Sequence, residues 1–408
     1  MGKTIQLKRT SFLYRFQYNL YLWVRVKGFS RIALVTRYPP VHCGVAEYSR
    51  MLLKALRSLM PTVELFVLST DEASSSEYVD PLTKTRVVPL YGYRDTSYYA
   101  IPSFLEEIGG VDIVHLQHEY GIYGYSVSIL SALEEVWEKK LAKAIVVTLH
   151  TVHHPYSGRP GALEFQSALN NSFIDAVIVH SKLQEFELQM QGVNPSRIIR
   201  IPHGTLINPY LGLSRIKLAE ELGLDLASFR GMILSIPGFM RPDKGFDILL
   251  EAVGGLKSLT ILVAGEAKDP RLKELLEDSP NTVVLDQYLS KSKMLKLIAL
   301  SDAVVLPYRD RPGAYAVSGV LHLAMGSFKP IIGTRVPRLI ELYDNAPQMT
   351  ITPGNSVELR KKLVWLLENY EHAMMYMEKM YSYAVGTEWH TVARKHLQLY
   401  VKLAKKQQ

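Results

Sequence analysis

From Arg31 onward, short runs rich in Val and Ile alternate with stretches whose apolar residues recur at helical spacing. This alternation is typical of parallel sheets whose strands are joined by crossover helices. The fold class predicted from it is α/β, with two Rossmann-like, doubly wound parallel-sheet domains that face each other across a cleft. The twelve predicted strands are Ile32–Thr36, Val63–Ser69, Arg86–Leu90, Asp112–Gln117, Ala144–His150 and Ala176–His180, then Met232–Pro237, Leu259–Ala264, Thr282–Asp286, Ala303–Pro307, Pro330–Gly333 and Met349–Thr352.

The length of the chain agrees with two domains. Its 408 residues exceed one typical domain and suit two of roughly 150–200 residues each. We predict a first Rossmann-like domain over residues 31–205, a second over 206–385 and a last helix over 386–408. The last helix has apolar residues on one face, so we predict that it packs back on the first domain. These residues are Trp389, Val392, Leu397 and Tyr400.

Composition excludes several classes of protein. Residues 1–46 hold eight basic residues and no acidic one, whereas the rest of the chain has 39 of each, so only the N-terminus is basic. We therefore expect no nucleic-acid partner. The single cysteine, Cys43, excludes an internal disulfide and a multi-cysteine zinc site. The chain shows neither a long apolar run nor a signal peptide, and a cytoplasmic location is predicted.

Residues 1–30 form a basic, aromatic N-terminal segment. Within it, residues 11–27 place aromatic and aliphatic side chains at helical spacing among Arg15, Arg25 and Lys27. An acid-free amphipathic helix of this kind is attracted to an anionic membrane surface. The alternative is a helix that packs on the protein's own surface and leaves its basic residues solvated. The first interpretation predicts a peripheral position on the inner membrane face.

Two strand-to-helix turns in the second half indicate a ligand site. The seventh predicted strand leads into a turn that carries Arg241 and Lys244, and the tenth is followed by a loop in which Ser318 and Gly319 open a helix. Fixed cations and the N–H groups of a helix start can bind one polyphosphate together. The alternatives are solvated loop cations and an ordinary serine N-cap. The pairing of the two turns favours the phosphate site and points to sugar-nucleotide chemistry.

The carboxyl ends of strands in the first half carry further candidates. Gly44 follows the first strand, His118 and Glu119 follow the fourth, and His150 ends the fifth. Ligands of doubly wound sheets bind at these ends. Glu119 is therefore a candidate base or acceptor-orienting group, with His118 and His150 as its neighbours in the site. The alternatives are a turn glycine, core histidines and a salt-bridged loop acid.

Several histidines lie near these strand ends, but their pattern is not that of a metal site. They do not follow the helical His-Glu-x-x-His spacing, and the chain contains no Asp-x-Asp. We therefore predict no metal ion and no other cofactor. The histidines concerned are His115, His118, His150, His153 and His154.

Taken together, five segments in this order resemble the retaining glycosyltransferases of the GT-B fold, specifically the large family-4 group. The resemblance covers nearly all of the chain from Arg31 to the C-terminus. The segments are Tyr38–Tyr48 with its Gly44, Gln117–Gly121, Thr148–Thr151, Ile201–Gly204, and the turn with Arg241 and Lys244.

The resemblance implies a donor and an acceptor side. By resemblance, Arg241 and Lys244 bind the donor diphosphate, and His150 contacts the transferred sugar. Glu341 is a further donor-site candidate because it follows a strand-end loop. The implied reaction moves a hexosyl group from a GDP- or UDP-hexose, with retention, to a glycan, lipid or lipid-linked acceptor held by the first domain. Protein cations take the role that a metal ion has elsewhere.

One departure from the family leaves two other functions open. Many members carry two glutamates eight residues apart at the donor site, and here Tyr315 and Leu323 stand in their places. The segment from Ser318 to Leu321 resembles a subgroup whose helix starts with Ser-Gly. A non-catalytic binding or scaffold subunit at the membrane is one alternative. A sugar phosphorylase, nucleotide-sugar hydrolase or epimerase on the same fold is the other.

Overall fold

The computed structural model describes residues 29–405. The amphipathic helix predicted at residues 11–27 lies outside the described residues. Among the helices that are described, none combines the length and the apolarity that a membrane crossing requires.

The first domain is built on an eight-stranded sheet with the order β3-β4-β2-β1-β5-β6-β8-β9. All its pairs are parallel except β3 with β4 at one edge. The order reverses between β1 and β5, which opens a crevice at their carboxyl ends. The strands are β1 Arg31–Val35, β2 Glu64–Thr70, β3 Tyr78–Asp80, β4 Thr85–Tyr91, β5 Val111–His118, β6 Ala142–Leu149, β8 Ala176–Val179 and β9 Ile198–Arg200.

Both faces of this sheet are buried because its strands are apolar on both sides. In β1, Ile32 and Leu34 belong to one core cluster, while Ala33 and Val35 belong to the cluster on the opposite face. Helices cover both faces, as crossover connections require. They span Gly44–Leu59, Ala100–Glu107, Tyr120–Tyr123, Ser128–Glu138, Pro160–Ala168 and Lys182–Met190, with 3₁₀ turns at Asp71–Ala73, Pro155–Ser157 and Pro195–Arg197.

The second domain has a six-stranded parallel sheet with the order β12-β11-β10-β13-β15-β16. Its order reverses between β10 and β13, so it has the same kind of crevice as the first sheet. The predicted α/β class with two doubly wound sheets is thus confirmed. The strands are β10 Met232–Pro237, β11 Leu259–Ala264, β12 Thr282–Leu285, β13 Ala303–Leu306, β15 Ile331–Thr334 and β16 Thr350–Ile351.

The helices of the second half complete the layers around this sheet. Residues 356–386 form three successive helices, which are separated at Asn369 and Met377. The helices are Arg215–Leu222, Phe246–Val253, Pro270–Glu277, Lys291–Leu300, Gly319–Ala324, Ile340–Asn345, Ser356–Glu368, Tyr370–Tyr376, Glu378–Gly386 and Trp389–Lys405, with 3₁₀ turns at Leu226–Ser228, Pro242–Lys244, Met325–Ser327, Pro337–Leu339 and Pro347–Met349.

The last helix, Trp389–Lys405, lies against the first domain. It packs on helix Gly44–Leu59, and the Tyr400 hydroxyl is 2.6 Å from His115 Nδ1 inside that domain. Just before it, the Thr205 N–H donates to Thr387 O at 2.9 Å. The chain therefore passes between the domains twice, and the two passages run side by side.

A two-stranded antiparallel ribbon also joins the domains. Strand β7, Thr151–His153, comes from the first domain, and β14, Ala314–Ala316, comes from the second. The His154 N–H extends the ribbon by donating to Gly313 O at 2.8 Å. Neither strand was predicted, nor were β3 and β9, because three-residue strands are too short to show an alternating pattern.

Candidate active site

A cavity of about 280 Å³ lies between the two domains, at the carboxyl ends of β1, β10 and β13. These are the ends that flank the reversal of strand order in each sheet, where doubly wound proteins bind ligands. Five of the predicted site residues line it together: Gly44, Arg241, Lys244, Ser318 and Gly319.

The turn after β10 forms a cationic wall of this cavity. Arg241 precedes the 3₁₀ turn Pro242–Lys244, Lys244 is its last residue, and Gly245 closes it with φ of +71°. A Cβ atom on Gly245 would lie 1.9 Å from Pro307 O, so the tight approach of this turn to β13 requires glycine.

One carboxylate, Asp243, gathers three guanidinium groups at this wall. Its oxygens lie 3.0 Å from Arg241 Nε, 2.7 Å from Arg338 Nη1 and 3.2 Å from Arg311 Nη2. Burial raises the pKa of Asp243, but the three arginines outweigh burial and the net pKa is lowered, so the carboxylate stays charged. Three guanidiniums against one carboxylate leave an excess of positive charge. We call Arg241, Asp243, Lys244, Arg311 and Arg338 the cationic cradle.

Lys244 adds a further cation in an unusual setting. It is buried, and its Nζ lies 3.8 Å from the centre of the Tyr308 ring. Burial lowers the pKa of Lys244, although Tyr308 partly opposes that shift. Arg338 also lies over this ring, at 4.9 Å. The ring face thus holds two cations near the cavity, which favours an anionic ligand.

Ser318 and Gly319 provide hydrogen-bond donors beside these cations. Ser318 caps helix Gly319–Ala324, since its Oγ accepts from the Leu321 N–H at 3.3 Å, and its own N–H donates to Arg338 O at 3.0 Å. The N–H groups of Gly319 and Val320 have no acceptor among the described residues, and both residues line the cavity. Free donors and cations on one side of a cavity suit a phosphate group.

Several polar residues of the cavity were not predicted from the sequence. Arg338 follows β15, and its position after a strand was the signal that could have identified it. Tyr288 of the second domain donates from its hydroxyl to Glu47 Oε1 of the first domain at 3.3 Å. Lys291 lines the cavity at the start of its helix. The pair of Glu47 and Tyr288 joins residues 241 apart, and no local pattern reveals such a contact.

His150 lies one layer behind the cavity wall. Its Nε2 donates to Gln117 Oε1 at 3.0 Å, and its ring meets the edge of Tyr48, a residue of the wall, at 4.8 Å. Burial lowers the pKa of His150, so the ring is neutral.

Glu119 and His118 do not line the cavity. Glu119 accepts from Thr151 Oγ1 at 2.7 Å and from the Gly121 N–H at 3.3 Å, and burial raises its pKa. His118 is fully buried and stacks on Phe165 at 3.8 Å. Burial lowers the pKa of His118 to about 3. The structure therefore does not bring His118 to the cationic cradle, whereas the charge of Arg311, a cradle residue, lowers the pKa of Glu119 and partly opposes burial.

Glu341 is also buried, directly behind the wall. Its Oε1 lies 3.7 Å from His322 Nε2, and burial raises its pKa to about 8. His322 lines the cavity and donates from Nδ1 to Ser318 O at 2.9 Å. Glu341 thus contacts the residue that holds the start of helix Gly319–Ala324.

A group of neutral histidines lies at the cavity wall and directly behind it. The ring of His180 lies 5.2 Å from that of His150 and 5.8 Å from that of His203, and His203 lies 4.5 Å from His322. Burial is the main cause that lowers the pKa of all four rings, to about 4 for His180 and His322. We call these four histidines, together with Tyr48, the histidine layer.

The two positions at which the resemblance placed glutamates have different surroundings. Tyr315 pairs with Val152 in the ribbon of β7 and β14, whereas Leu323 lines the cavity and presents no carboxylate there. Among residues 29–405, no three metal-ligating side chains are close enough together to hold a metal ion.

Comparison with known proteins identifies the class first by fold. A glycosyltransferase from Rickettsia africae has a TM-score of 0.70 at 17% identity, over 93% of this chain and 99% of its own. Anabaena HepE in complex with UDP-glucose has a TM-score of 0.70 at 15% identity, over 91% of this chain and 99% of its own. The catalytic domain of Arabidopsis thaliana starch synthase IV, bound to ADP and acarbose, has a TM-score of 0.63 at 15% identity, over 93% of this chain and 100% of its own. The fold is therefore GT-B.

Family models then identify the activity. A model described as glycosyltransferase family 4 matches residues 43–205, and one described as glycosyl transferases group 1 matches residues 231–369. Each match covers most of one domain, and together they cover about three quarters of the chain. No curated protein has a significant sequence match to the chain. The protein is a glycosyltransferase.

Proposed function

We propose that this glycosyltransferase moves a hexosyl group from a nucleotide sugar to an acceptor hydroxyl, with retention of configuration. The observation that carries the proposal is the cationic cradle beside the free N–H groups of Gly319 and Val320. A nucleotide sugar presents two phosphates in series. Its diphosphate matches the excess positive charge and the donors on this side of the cavity.

The same cations can promote the reaction. When the bond from the sugar to the diphosphate breaks, negative charge grows on the departing phosphate oxygen. Arg241, Lys244 and Arg338 stand ready to stabilise that charge without rearrangement, which lowers the barrier. In this proposal the leaving phosphate helps to take the proton of the acceptor hydroxyl. His150 would position the sugar through Tyr48, and Glu119 would orient the acceptor.

For the donor we propose a UDP- or GDP-hexose. The structural neighbour HepE is known with UDP-glucose, which supports a uridine donor. Starch synthase IV is known with ADP, so the base is a matter for direct measurement. We further propose a glycan, lipid or lipid-linked acceptor, catalysis without a metal ion, and a cytoplasmic enzyme that residues 11–27 bring to an anionic membrane face.

A second candidate function is that of a donor-binding subunit without catalysis. Leu323 favours it, because this apolar side chain lines the cavity at a position where the family often carries a glutamate. A subunit of this kind would bind the nucleotide sugar and leave it unchanged. Product analysis by mass spectrometry separates the two functions, and it also reveals a phosphorylase or an epimerase.

Calorimetric titration of the full chain with UDP, GDP and ADP, then with the hexose of the diphosphate that binds, tests the proposal. All solutions contain EDTA. We expect one diphosphate to bind, and the double variant R241A/K244A to lose at least about tenfold in affinity because charge-assisted hydrogen bonds are removed. The matched control R271A/K273A changes two exposed cations outside the cavity and should bind like the wild type. Equal binding by both variants would refute the assigned role of the cradle.

A further inference from the structure

Two exposed tyrosines with arginines on their rings lie at the carboxyl end of the first sheet, outside the cavity. The Tyr93 ring lies 4.8 Å from the guanidinium of Arg37 and 5.2 Å from that of Arg94. The Tyr125 ring lies 5.4 Å from the guanidinium of Arg159. The tyrosines are 44% and 39% exposed. We call these five residues the arginine–tyrosine strip.

Backbone contacts make the strip continuous. The Arg94 N–H donates to Ile122 O at 3.1 Å, which ties the turn after β4 to helix Tyr120–Tyr123. Tyr125 follows that helix by two residues. At the other end, Arg37 follows β1, whose carboxyl end lies at the cavity. The strip therefore runs outward from the rim of the cavity along the first domain.

The charges of the strip are only partly compensated. Arg37 is paired with Glu72, at 2.9 and 2.5 Å. Arg94 and Arg159 have no carboxylate partner among the described residues. The neighbouring Asp95 is occupied, because it accepts from the N–H groups of Gly92, Thr96 and Ser97. Two exposed guanidinium groups thus remain available to an anion.

The backbone at Arg94 gives independent support. Its φ is +53°, in the left-handed region that glycine and asparagine occupy at lower cost. Residues held in such conformations are concentrated at functional sites, where the surrounding structure keeps them in place. Here the hydrogen bond to Ile122 O keeps Arg94 on the Tyr93 ring.

We propose that the arginine–tyrosine strip binds the acceptor, and that the acceptor carries a phosphate group. The guanidiniums of Arg94 and Arg159 match phosphate oxygens, while the ring faces of Tyr93 and Tyr125 offer apolar surface to an adjoining sugar. This inference rests on the proposed transferase function and specifies its acceptor class. The phosphate can belong to a soluble sugar phosphate or to a lipid.

The test uses the full chain and the double variant R94N/R159Q. Asparagine accepts the left-handed conformation, so the variant should fold and melt no earlier than the wild type. The probes are glucose 1-phosphate, neutral methyl glucoside, and phosphatidylcholine vesicles with and without phosphatidic acid. The control R230Q/R271Q removes two exposed charges of the second domain that lie outside the cavity, so the net charge is matched.

Glucose 1-phosphate is also titrated into R241A/K244A, so that binding at the cradle is recognised. If R241A/K244A and the control still bind glucose 1-phosphate, while R94N/R159Q binds it at least about tenfold more weakly, the proposal is supported and the phosphate belongs to a soluble sugar phosphate. If R94N/R159Q loses binding only to the vesicles with phosphatidic acid, the proposal is supported and the phosphate belongs to a lipid. Equal binding of both probes by R94N/R159Q and the wild type overturns the proposal. Nucleoside diphosphate binding is measured separately, and its absence in the wild type would count against the transferase function instead.

Discussion

The cationic cradle and the histidine layer differ in the charge of their polar groups. The cationic cradle holds permanent charges that Asp243 gathers and only partly neutralises. The histidine layer consists of rings that burial keeps uncharged. A charged wall responds to anionic ligands and to salt, whereas a neutral titratable wall responds to pH. The cavity therefore responds to anionic ligands and salt through the cationic cradle and to pH through the histidine layer. A substitution in one of these groups can change one response without the other.

The largest expected effect is acid destabilisation through the histidines. In the unfolded chain a histidine binds a proton below about pH 6.5, whereas burial lowers the pKa of His180 and His322 in the folded protein to about 4. The unfolded state then binds more protons, so the free energy of unfolding falls as the pH drops through this range. Each ring contributes up to about 1.4 kcal/mol per pH unit. Melting temperatures measured across this range should fall steeply.

The variant H180N tests whether His180 contributes to this acid destabilisation. Its amide can still donate to Ile201 O, as His180 Nδ1 does at 2.9 Å, but it does not titrate. We expect a shallower dependence of the melting temperature on pH in this variant. An unchanged dependence would show that His180 is not one of the groups responsible.

The second effect concerns the charged wall. The substitution K244M removes a buried ammonium group and keeps the length of the side chain. We expect the affinity for nucleoside diphosphate to fall by about 10–100-fold, because a charge-assisted contact is lost. The melting temperature should hold or rise, since a desolvated charge is gone. K273M, which removes an exposed lysine paired with Asp286, is the control for both measurements.

A pair of glycines of the cavity gives the third comparison. A Cβ atom at Gly204 would lie 2.3 Å from the Trp389 ring, so G204A should lose about 1–3 kcal/mol of stability and loosen the last helix. A Cβ atom at Gly44 meets nothing within 4 Å. G44A should therefore melt like the wild type and lose ligand affinity only. Thermal unfolding and calorimetry of both variants check this; equal melting temperatures would contradict the assigned packing of Trp389.

The last effect has the opposite pH direction. The folded pKa of Glu341 is about 8, above the ordinary 4.5, so the folded state holds this proton longer than the unfolded state. Stability that depends on the protonated carboxyl is complete below 4.5 and is lost as the pH rises to about 8. Relative to E341Q, the wild type should lose up to about 1.4 kcal/mol per pH unit over this range. Melting temperatures of the two proteins, compared at each pH, give the difference directly.

Local sequence determined the sheets and the cradle's first two cations. Runs of Val and Ile identify strands because both faces of a parallel sheet are buried. Arg241 and Lys244 were recognisable because they follow such a run directly. The gathering of Arg311 and Arg338 on Asp243 was not predictable, since it depends on how three loops approach one another.

His118 shows why a strand-end position was insufficient. Successive side chains of a strand point to opposite faces. On β5, Gln117 points toward His150, whereas His118 points to the other face and stacks on Phe165. The sequence identified the end of the strand but not which face the cavity occupies. The sites of Glu47 and Tyr288 were missed for a related reason, because their contact exists only between folded domains.

The ribbon of β7 and β14 has a consequence for the rate of turnover. It joins the domains through backbone hydrogen bonds, on which the identity of the side chains has little direct influence. Opening the cleft on that side requires those bonds to break. If a diphosphate product leaves by that opening, the lifetime of the ribbon sets an upper limit on how fast the enzyme can release it, whatever the speed of the chemical step.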